Sequence, residues 1–265
     1  MNTLFLEQAQ GTIAFDDSGT GPLVVCVPSL GDLRAEYRFL TPQLTAAGYR
    51  VVSMDLRGHG ETSPNWPDYS VGAIGSDMIA LVRSLDHGPA FLIGTSMAAG
   101  AGVWAAAEVP DLVAGLVLID PFVRGTTSWL TRLIYSVLFT RLWGPAAWLL
   151  YYATLYPSRK PLDFKYYCAT LQANLQQPGR LGALHSMMTA SKTASEARLG
   201  RISKPVFVIM GSRDPDFKTP EAEAKSLATS LHGRYQMVKG AGHYPHTEMP
   251  EVTGPLVLSF LQSIQ

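Results

Sequence analysis

A serine occupies the point where a predicted strand turns directly into a predicted helix. Ser96 follows the apolar residues 91–93 and precedes residues 97–107, a run of small residues with helical length. So tight a turn exposes the serine hydroxyl at the edge of a sheet, and the positions two before and two after it must be small to avoid backbone clashes. Gly94 and Ala98 meet this requirement. The pattern predicts a serine nucleophile for acyl transfer.

A nucleophilic serine needs a base and an acid that orients the base, and both residue types occur in loops after later predicted strands. His243 ends the sequence Gly-Ala-Gly-His, in which the glycines let the backbone place an imidazole over the edge of the sheet. Asp214 ends the sequence Gly-Ser-Arg-Asp after an apolar run. We therefore predict that Ser96, Asp214 and His243 act together as nucleophile, orienting acid and base.

Other residues near these motifs could take the same roles. His246 is an alternative base in the same loop as the preferred one. Asp216 lies in the same loop as the preferred acid, and Asp120 ends an earlier predicted strand, so both are alternative acids. His59 lies between two glycines and is expected to bond locally, with no part in the chemistry.

The elements that must position these residues alternate between strands and helices. The predicted strands are nearly all apolar, which is typical of a parallel sheet covered by helices on both faces, because a half-exposed sheet would alternate polar and apolar residues. The predicted strands are residues 23–27, 51–54, 91–93, 116–119, 206–210 and 235–238. The predicted helices are residues 35–47, 69–85, 97–107, 220–231 and 252–262. Residues 3–7 and 12–15 predict an antiparallel hairpin at one edge of this doubly wound α/β sheet.

The alternation stops between Pro121 and Lys204, where the sequence becomes aromatic and helix-like. The aromatic residues include Trp129, Trp143, Trp148, Tyr151, Tyr152, Tyr156, Phe164, Tyr166 and Tyr167. An insertion at the carboxyl edge of an open α/β sheet lies over the ligand crevice, so residues 122–203 are expected to form a helical cap. Most of the rings should pack on each other, and a few should line an apolar pocket. The core domain is then residues 1–121 and 204–265.

The chain as a whole resembles an α/β-hydrolase fold protein with a helical cap. Besides the serine motif, the segments that carry the resemblance are Asp-Leu-Arg-Gly-His-Gly-Glu-Thr-Ser at 55–63, Leu-Ile-Asp-Pro at 118–121 and Gly-Ala-Gly-His at 240–243. The chain order serine, acid, histidine is the one associated with this family. The resemblance also implies an oxyanion hole at residues 28–31, Pro-Ser-Leu-Gly, where the usual His-Gly pair is missing. Leu30 and Met97 would donate its two backbone N–H groups.

The resemblance implies a serine hydrolase with a Ser-His-Asp triad, and the apolar cap favours a hydrophobic small-molecule ester or lactone over a charged substrate. Carbon–carbon bond hydrolases of ring-cleavage diketones and cofactor-free perhydrolases share the triad and stay open. A hydrolase-like ligand-binding protein is the alternative without enzyme activity. The sequence contains no phosphate-binding loop, dinucleotide fingerprint or zinc motif, so no cofactor and no metal is expected.

Composition and charge argue against several other classes. The chain of 265 residues is 47% apolar and 16% charged, which excludes a disordered protein. Its 21 basic and 21 acidic residues balance and no run of Lys and Arg stands out, so nucleic acid is not an expected partner. Residues 142–158 carry no charge but are interrupted by Gly144 and Pro145, so no integral membrane span is expected.

The N-terminal residues 1–15 lack the basic and apolar pattern of a secretory signal, which by default predicts a cytoplasmic location. Cys26 and Cys168 have neither the spacing of a disulfide framework nor that of a metal site, and they are expected to be free thiols. The expected partner is a small hydrophobic acyl substrate. The sequence leaves a homo-oligomer open.

Overall fold

The computed structural model describes residues 3–264 and has an eight-stranded sheet at its centre. The strands are β1 (Leu4–Gln8), β2 (Gly11–Ser18), β3 (Leu23–Val27), β4 (Arg50–Met54), β5 (Ala90–Thr95), β6 (Val113–Ile119), β7 (Val206–Gly211) and β8 (Arg234–Val238). Across the sheet they follow the order β1-β2-β4-β3-β5-β6-β7-β8. Residues 1, 2 and 265 of the predicted core domain lie outside the described residues.

The sheet is parallel except at one edge. β1 pairs antiparallel with β2, and β2 pairs antiparallel with β4. All other neighbouring strands are parallel. Every residue of β3, β5 and β7 is buried, because helices cover both faces of the sheet there. The predicted doubly wound α/β fold, with its hairpin at one edge, is confirmed.

The helices lie between the strands, as the sequence predicts. They are α1 (Leu40–Ala46), α2 (Val71–Leu85), α3 (Met97–Glu108), α4 (Trp129–Leu138), α5 (Gly144–Thr154), α6 (Phe164–Leu175), α7 (Arg180–Thr189), α8 (Thr193–Glu196), α9 (Pro220–Ser230), α10 (Pro245–Glu248) and α11 (Pro250–Gln262). The predicted helix over 35–47 is divided into 3₁₀ turns at Arg34–Phe39 and then α1. Pro42 lacks the N–H that a continuous α-helix would bond to Arg38, which explains the division.

Two clusters of buried apolar side chains lie on opposite faces of the sheet. One joins the sheet to α2, α3 and α9, and the other joins it to α1 and α11. Because side chains alternate along a strand, β3 contributes to both. Val25 and Val27 belong to the first cluster, and Val24 and Cys26 belong to the second. The two clusters therefore pack against both faces of the strands whose ends carry the candidate site.

Between β6 and β7 the chain leaves the sheet and forms α4 to α8. We call this segment, residues 120–205, the insertion. Tyr152 of α5 and Tyr167 of α6 pack in one buried cluster with Tyr244, which follows β8. The Tyr152 hydroxyl donates to Asp32 Oδ2 at 3.0 Å, and the Tyr167 hydroxyl donates to Asp32 Oδ1. These contacts fasten the insertion to the loop after β3. The cap domain predicted at residues 122–203 stays a prediction.

Within residues 3–264, no helix combines the length and the apolar character needed to cross a membrane. Cys26 is buried and Cys168 is partly exposed, and both are free thiols, as the sequence predicts. The cytoplasmic location and the homo-oligomer stay predictions.

Candidate active site

Ser96 is the residue between β5 and α3, and its backbone conformation is strained. Its φ is +58° and its ψ is −120°, a region that residues with side chains rarely adopt. The Ser96 N–H donates to the carbonyl of Ile119 at 2.8 Å. The Ser96 carbonyl accepts from Phe122 N at 3.0 Å and from Ala99 N at 3.2 Å. The sharp strand-to-helix turn predicted from the sequence is present at this serine.

The small residues around Ser96 are required by this turn. It brings the residue two positions before the serine against the residue two positions after it. A Cβ added to Gly94 would lie 2.6 Å from the backbone carbonyl oxygen of Ala98. No larger residue fits at position 94 without moving the backbone that presents Ser96.

His243 reaches the same cavity as Ser96 from the loop after β8. Its Nδ1 lies 2.7 Å from Oδ2 of Asp214, in the loop after β7. The backbone N–H of His243 donates to the carbonyl of Leu155 at 3.0 Å. Leu155 follows α5 in the insertion. A Cβ on Gly242 would lie 2.2 Å from that same carbonyl oxygen. The glycine before the histidine thus permits the insertion to approach the loop closely.

Glu248 of α10 holds the histidine loop from its other side. Its Oε2 accepts from Gly242 N at 2.7 Å, and its Oε1 accepts from Ser158 N at 2.8 Å and from Arg159 N at 2.9 Å. No motif in the sequence points to Glu248 in this role. The available signal, a glutamate that closely follows a glycine-rich loop, is weak because many sequences contain one.

The two alternative acids occupy different positions from Asp214. Oδ2 of Asp216 lies 3.8 Å from His243 Nδ1, and this carboxylate accepts a hydrogen bond from the Tyr151 hydroxyl at 2.6 Å. Asp120 Oδ1 accepts from the backbone N–H of Gly211 at 2.9 Å. Only the Asp214 carboxylate makes a hydrogen bond to His243 among the three.

The charges of these groups depend on one another. Burial and the nearby Asp214 raise the pKa of Asp120 well above its ordinary value, and burial also raises the pKa of Asp216. Burial by itself lowers the pKa of His243, but Asp214 outweighs it and raises that pKa to about 9. Burial opposes the charge on Asp214 as well, yet His243 leaves the pKa of this carboxylate below its ordinary value. The arrangement favours an imidazolium–carboxylate pair beside an uncharged Asp120.

Leu30 and Met97, the predicted oxyanion-hole residues, line the same cavity as Ser96. Among residues 3–264, neither backbone N–H of this pair has a hydrogen-bond acceptor. Free N–H groups beside a nucleophile can bind the negative oxygen of a tetrahedral intermediate. Their role as an oxyanion hole stays a prediction.

Two buried side chains fix the backbone on either side of Leu30. Oε2 of Glu36 accepts from Ser29 N at 2.8 Å, and Nε2 of His59 accepts from Gly31 N at 3.2 Å. The sequence gives no sign of Glu36 in this role and predicts only a local bond for His59. The local bond of His59 exists, from Nδ1 to the Arg57 carbonyl at 2.9 Å, but its other nitrogen reaches the predicted oxyanion loop.

The alternative base His246 contacts Glu36 and Tyr37 instead of the cavity that contains Ser96. Its Nε2 lies 2.9 Å from Oε1 of Glu36, and its ring stacks on Tyr37 with centroids 5.1 Å apart. It is not among the described residues that line the cavity. Its position favours a structural role.

The cavity that Ser96 and His243 share has a volume of about 610 Å³, which is suited to a small-molecule ligand. Much of its wall is apolar and comes from α4 and α5: Tyr135, Leu138, Ala147, Trp148, Leu150 and Tyr151. Its polar lining includes Arg124, Thr126, Thr127 and Lys192. The aromatic sequence of this segment predicts the apolar wall but not the basic residues.

Among the described residues, Asp120, Asp214 and His243 form one group whose ligand atoms lie within 4.8 Å of one another, close enough to consider a metal ion. His243 Nδ1 and Asp214 Oδ2, however, already bond to each other. Asp120 Oδ1 is occupied by a backbone N–H. We assign no metal or cofactor to this group.

Comparisons with known proteins agree with this architecture. The family model described as alpha/beta hydrolase fold matches residues 22–250. BpoC of Mycobacterium tuberculosis, which carries a provisional name as a non-heme bromoperoxidase, is 29% identical over 268 residues, covering 96% of this chain and 98% of BpoC. The 2-(acetamidomethylene)succinate hydrolase of Mesorhizobium japonicum is 27% identical over 270 residues, covering 95% of this chain and 92% of the relative.

Solved structures show the same fold. A bromoperoxidase from Bacillus anthracis superposes with a TM-score of 0.85 at 20% identity, covering 98% of this chain and 100% of that chain. An enol-lactonase from Burkholderia xenovorans superposes with a TM-score of 0.82 at 21% identity, again covering 98% and 100%. At these identities the likeness supports the fold alone.

Proposed function

We propose, from the premise that this chain belongs to the alpha/beta hydrolase fold family, that it is a serine hydrolase. It cleaves a hydrophobic small-molecule ester or lactone through an acyl-enzyme on Ser96. The observation that carries the proposal is the 2.7 Å hydrogen bond between His243 Nδ1 and Asp214 Oδ2, made by an imidazole that shares its cavity with Ser96. A base oriented by an acid beside a strained serine is the arrangement that activates a nucleophile.

The geometry supports a two-step reaction. Ser96 Oγ attacks the substrate carbonyl while His243 Nε2 takes its proton, and Asp214 stabilises the imidazolium that forms. The backbone N–H groups of Leu30 and Met97 bind the oxyanion, each contributing about 10²- to 10³-fold to the rate. His243 then returns the proton to the leaving oxygen. In the second step His243 activates a water molecule, which releases the acyl group and restores Ser96.

The insertion is proposed to act as the cap over this reaction. Its helices α4 and α5 supply the apolar wall of the cavity, with Leu138 and Trp148 among the lining residues. Apolar surface of this kind favours an acyl chain or a hydrophobic alcohol, because burying it releases ordered water. The aromatic residues thus contribute to substrate choice, and the sheet edge contributes the chemistry.

A covalent probe tests the nucleophile. A fluorophosphonate should label the purified protein at Ser96, located by peptide mass spectrometry, and Ser96→Ala should lose both the label and the hydrolysis of p-nitrophenyl esters. Ser29 lines the same cavity, so Ser29→Ala is the matched control and should keep the label on Ser96. Labelling of a different serine, with ester hydrolysis retained in Ser96→Ala, would refute the proposal.

Other reactions of the same triad are the second candidates. The names of the Mesorhizobium japonicum hydrolase and of the Burkholderia xenovorans enol-lactonase indicate different substrates on this fold. A screen of acyl esters, lactones and vinylogous diketones on the purified protein, together with a perhydrolysis assay, distinguishes ester cleavage from carbon–carbon cleavage and from perhydrolysis. Binding of these compounds without turnover would support the ligand-binding alternative instead.

A further inference from the structure

Lys192, in the turn before α8, is a buried cation in the wall of the cavity. It is 8% exposed, and it lines the cavity together with Ser96 and His243. In the part of the chain that the structure describes, no carboxylate pairs with its ammonium group and no acceptor bonds to it. An unpaired buried charge is costly, so its presence in a cavity requires an explanation.

The other charged residues of the cavity already have partners. Arg124 donates to Ser226 Oγ at 3.0 Å and to Ser230 Oγ at 2.8 Å, on α9. Asp216, the carboxylate in the cavity lining, accepts from the Tyr151 hydroxyl at 2.6 Å. Arg124 has the same charge as Lys192, and Asp216 makes no ion pair with it.

The backbone that carries Lys192 is firmly fixed. Its N–H donates to the carbonyl of Gly125 at 3.0 Å, and Gly125 N in turn donates to Glu196 Oε2 at 3.2 Å. The buried Ser195 hydroxyl donates to the carbonyl of Gly100 in α3 at 2.8 Å. These bonds attach the turn to the helix that begins beside Ser96, so the backbone from which the Lys192 side chain extends is held near the nucleophile.

The electrostatic environment of Lys192 favours the binding of an anion beside it. Burial and the neighbouring cation Arg132 of α4 both lower the pKa of its ammonium group. A bound carboxylate would remove the repulsion and provide the missing acceptor, and a charge-assisted hydrogen bond of this kind is about twice as strong as a neutral one.

We propose that Lys192 binds a carboxylate group of the substrate, so that the ester or lactone cleaved at Ser96 carries one negative charge in addition to its apolar part. The inference rests on the proposed function, since it names the substrate class of the same site. One unpaired ammonium group fits a single carboxylate, and the apolar wall from α4 and α5 fits the remainder of the molecule.

A matched pair of substrates tests the proposal. The p-nitrophenyl monoester of a short α,ω-diacid presents a free carboxylate, and its methyl ester presents the same chain without the charge. We expect the wild-type protein to have the higher kcat/KM for the carboxylate. In Lys192→Met the ratio of the two kcat/KM values should fall about 10- to 100-fold. Lys192→Arg should restore part of the ratio, because it restores the positive charge.

The control is Lys165→Met, which removes an exposed lysine of α6 that is not among the cavity-lining residues. It should leave the ratio at the wild-type value. A wild-type preference for the methyl ester, or an equal loss on both substrates in Lys192→Met, would overturn the proposal. Thermal unfolding checks the fold, and we expect Lys192→Met to be as stable as the wild type because an unpaired buried charge is removed.

Binding without turnover separates this proposal from the proposed function. The monobutyl ester of the same diacid can be titrated by calorimetry into Ser96→Ala and into Ser96→Ala with Lys192→Met. Loss of affinity in the double variant supports the carboxylate site even if no ester is hydrolysed. Equal affinity for both proteins refutes the carboxylate site, even if the fluorophosphonate labels Ser96 and neutral esters are hydrolysed.

Discussion

The imidazole of His59 accepts a hydrogen bond from the backbone N–H of Gly31 at 3.2 Å, which connects the loop after β4 to the loop after β3. The other ring nitrogen bonds to the Arg57 carbonyl, so Nδ1 carries the proton and Nε2 is the acceptor. Burial lowers the pKa of His59 to about 4, which keeps the ring neutral near pH 7. His59 therefore positions the residue that follows Leu30.

We predict that His59→Ala lowers kcat for a p-nitrophenyl ester about 10-fold while KM changes little, because a misplaced Leu30 N–H weakens binding of the oxyanion rather than of the ester. Steady-state kinetics measure this split. His87→Ala is the control, since His87 is exposed and bonds to the Gly21 carbonyl far from the loop. A His59→Ala protein with the wild-type kcat would contradict the positioning role.

The three aspartates near His243 should differ sharply when each is changed to asparagine. Asp214→Asn removes the negative charge that holds the imidazole in the correct tautomer and stabilises the imidazolium, so we expect kcat to fall about 10³- to 10⁴-fold. Burial and the nearby Asp214 already disfavour the charge on Asp120, and an asparagine at position 216 can still accept from the Tyr151 hydroxyl, so smaller losses are expected. A larger loss in Asp120→Asn than in Asp214→Asn would assign the acid to the strand end at β6.

The pH dependence of the reaction should report the charge of His243. The base must be neutral to accept a proton, and its pKa is raised to about 9, so kcat/KM should rise with pH and reach half its plateau near that value instead of near 6.5. Replacing Asp214 by Asn removes the main cause of the increase, so the pKa of His243 and the midpoint should move to lower pH. The rates of both proteins with a neutral ester, measured from about pH 5 to about pH 10 and corrected for spontaneous hydrolysis, give the two midpoints. Equal midpoints would contradict the assignment.

The apolar wall of the cavity should appear in the chain-length dependence of the reaction. Each methylene buried there contributes up to about 0.8 kcal/mol, so kcat/KM should increase up to about fourfold per methylene from the acetyl to the butyryl ester. The increase should stop when the cavity is full. Trp148→Ala enlarges the cavity and should move the preferred acyl group to a longer chain. A slope of zero in the wild type would argue against a hydrophobic acyl site.

Local sequence patterns were sufficient for most of the fold. The apolar run at 23–27 coincides with β3. By contrast, β6 begins at Val113, ahead of the predicted start at 116. The predicted start is too late because Ala114 and Gly115 interrupt the pattern of large apolar residues. Gly115 leaves room at that point, since an added Cβ would lie 3.3 Å from the ring of Phe91 on the neighbouring strand, a tight contact. Such a constraint comes from a neighbour in space and leaves no local pattern.

The difference between local patterns and contacts made only in the folded chain also explains which site residues the sequence could predict. Ser96 and His243 are flanked by small residues that mark sharp turns, so their positions could be read locally. Glu36 makes a hydrogen bond with His246, which lies 210 residues further along the chain. The sequence gives no sign of that pairing. Lys192 looks like any other lysine until the fold encloses it in a cavity.

The hydrogen bond from His243 N to the carbonyl of Leu155 limits how this protein can be recombined with its relatives. A chimera that exchanges the whole insertion would also exchange the backbone carbonyl that supports the base and the Tyr151 hydroxyl bonded to Asp216. A crossover placed before α5 would instead exchange α4 and keep both supports. Natural or laboratory variation of substrate range is therefore less constrained in α4 than at the end of α5.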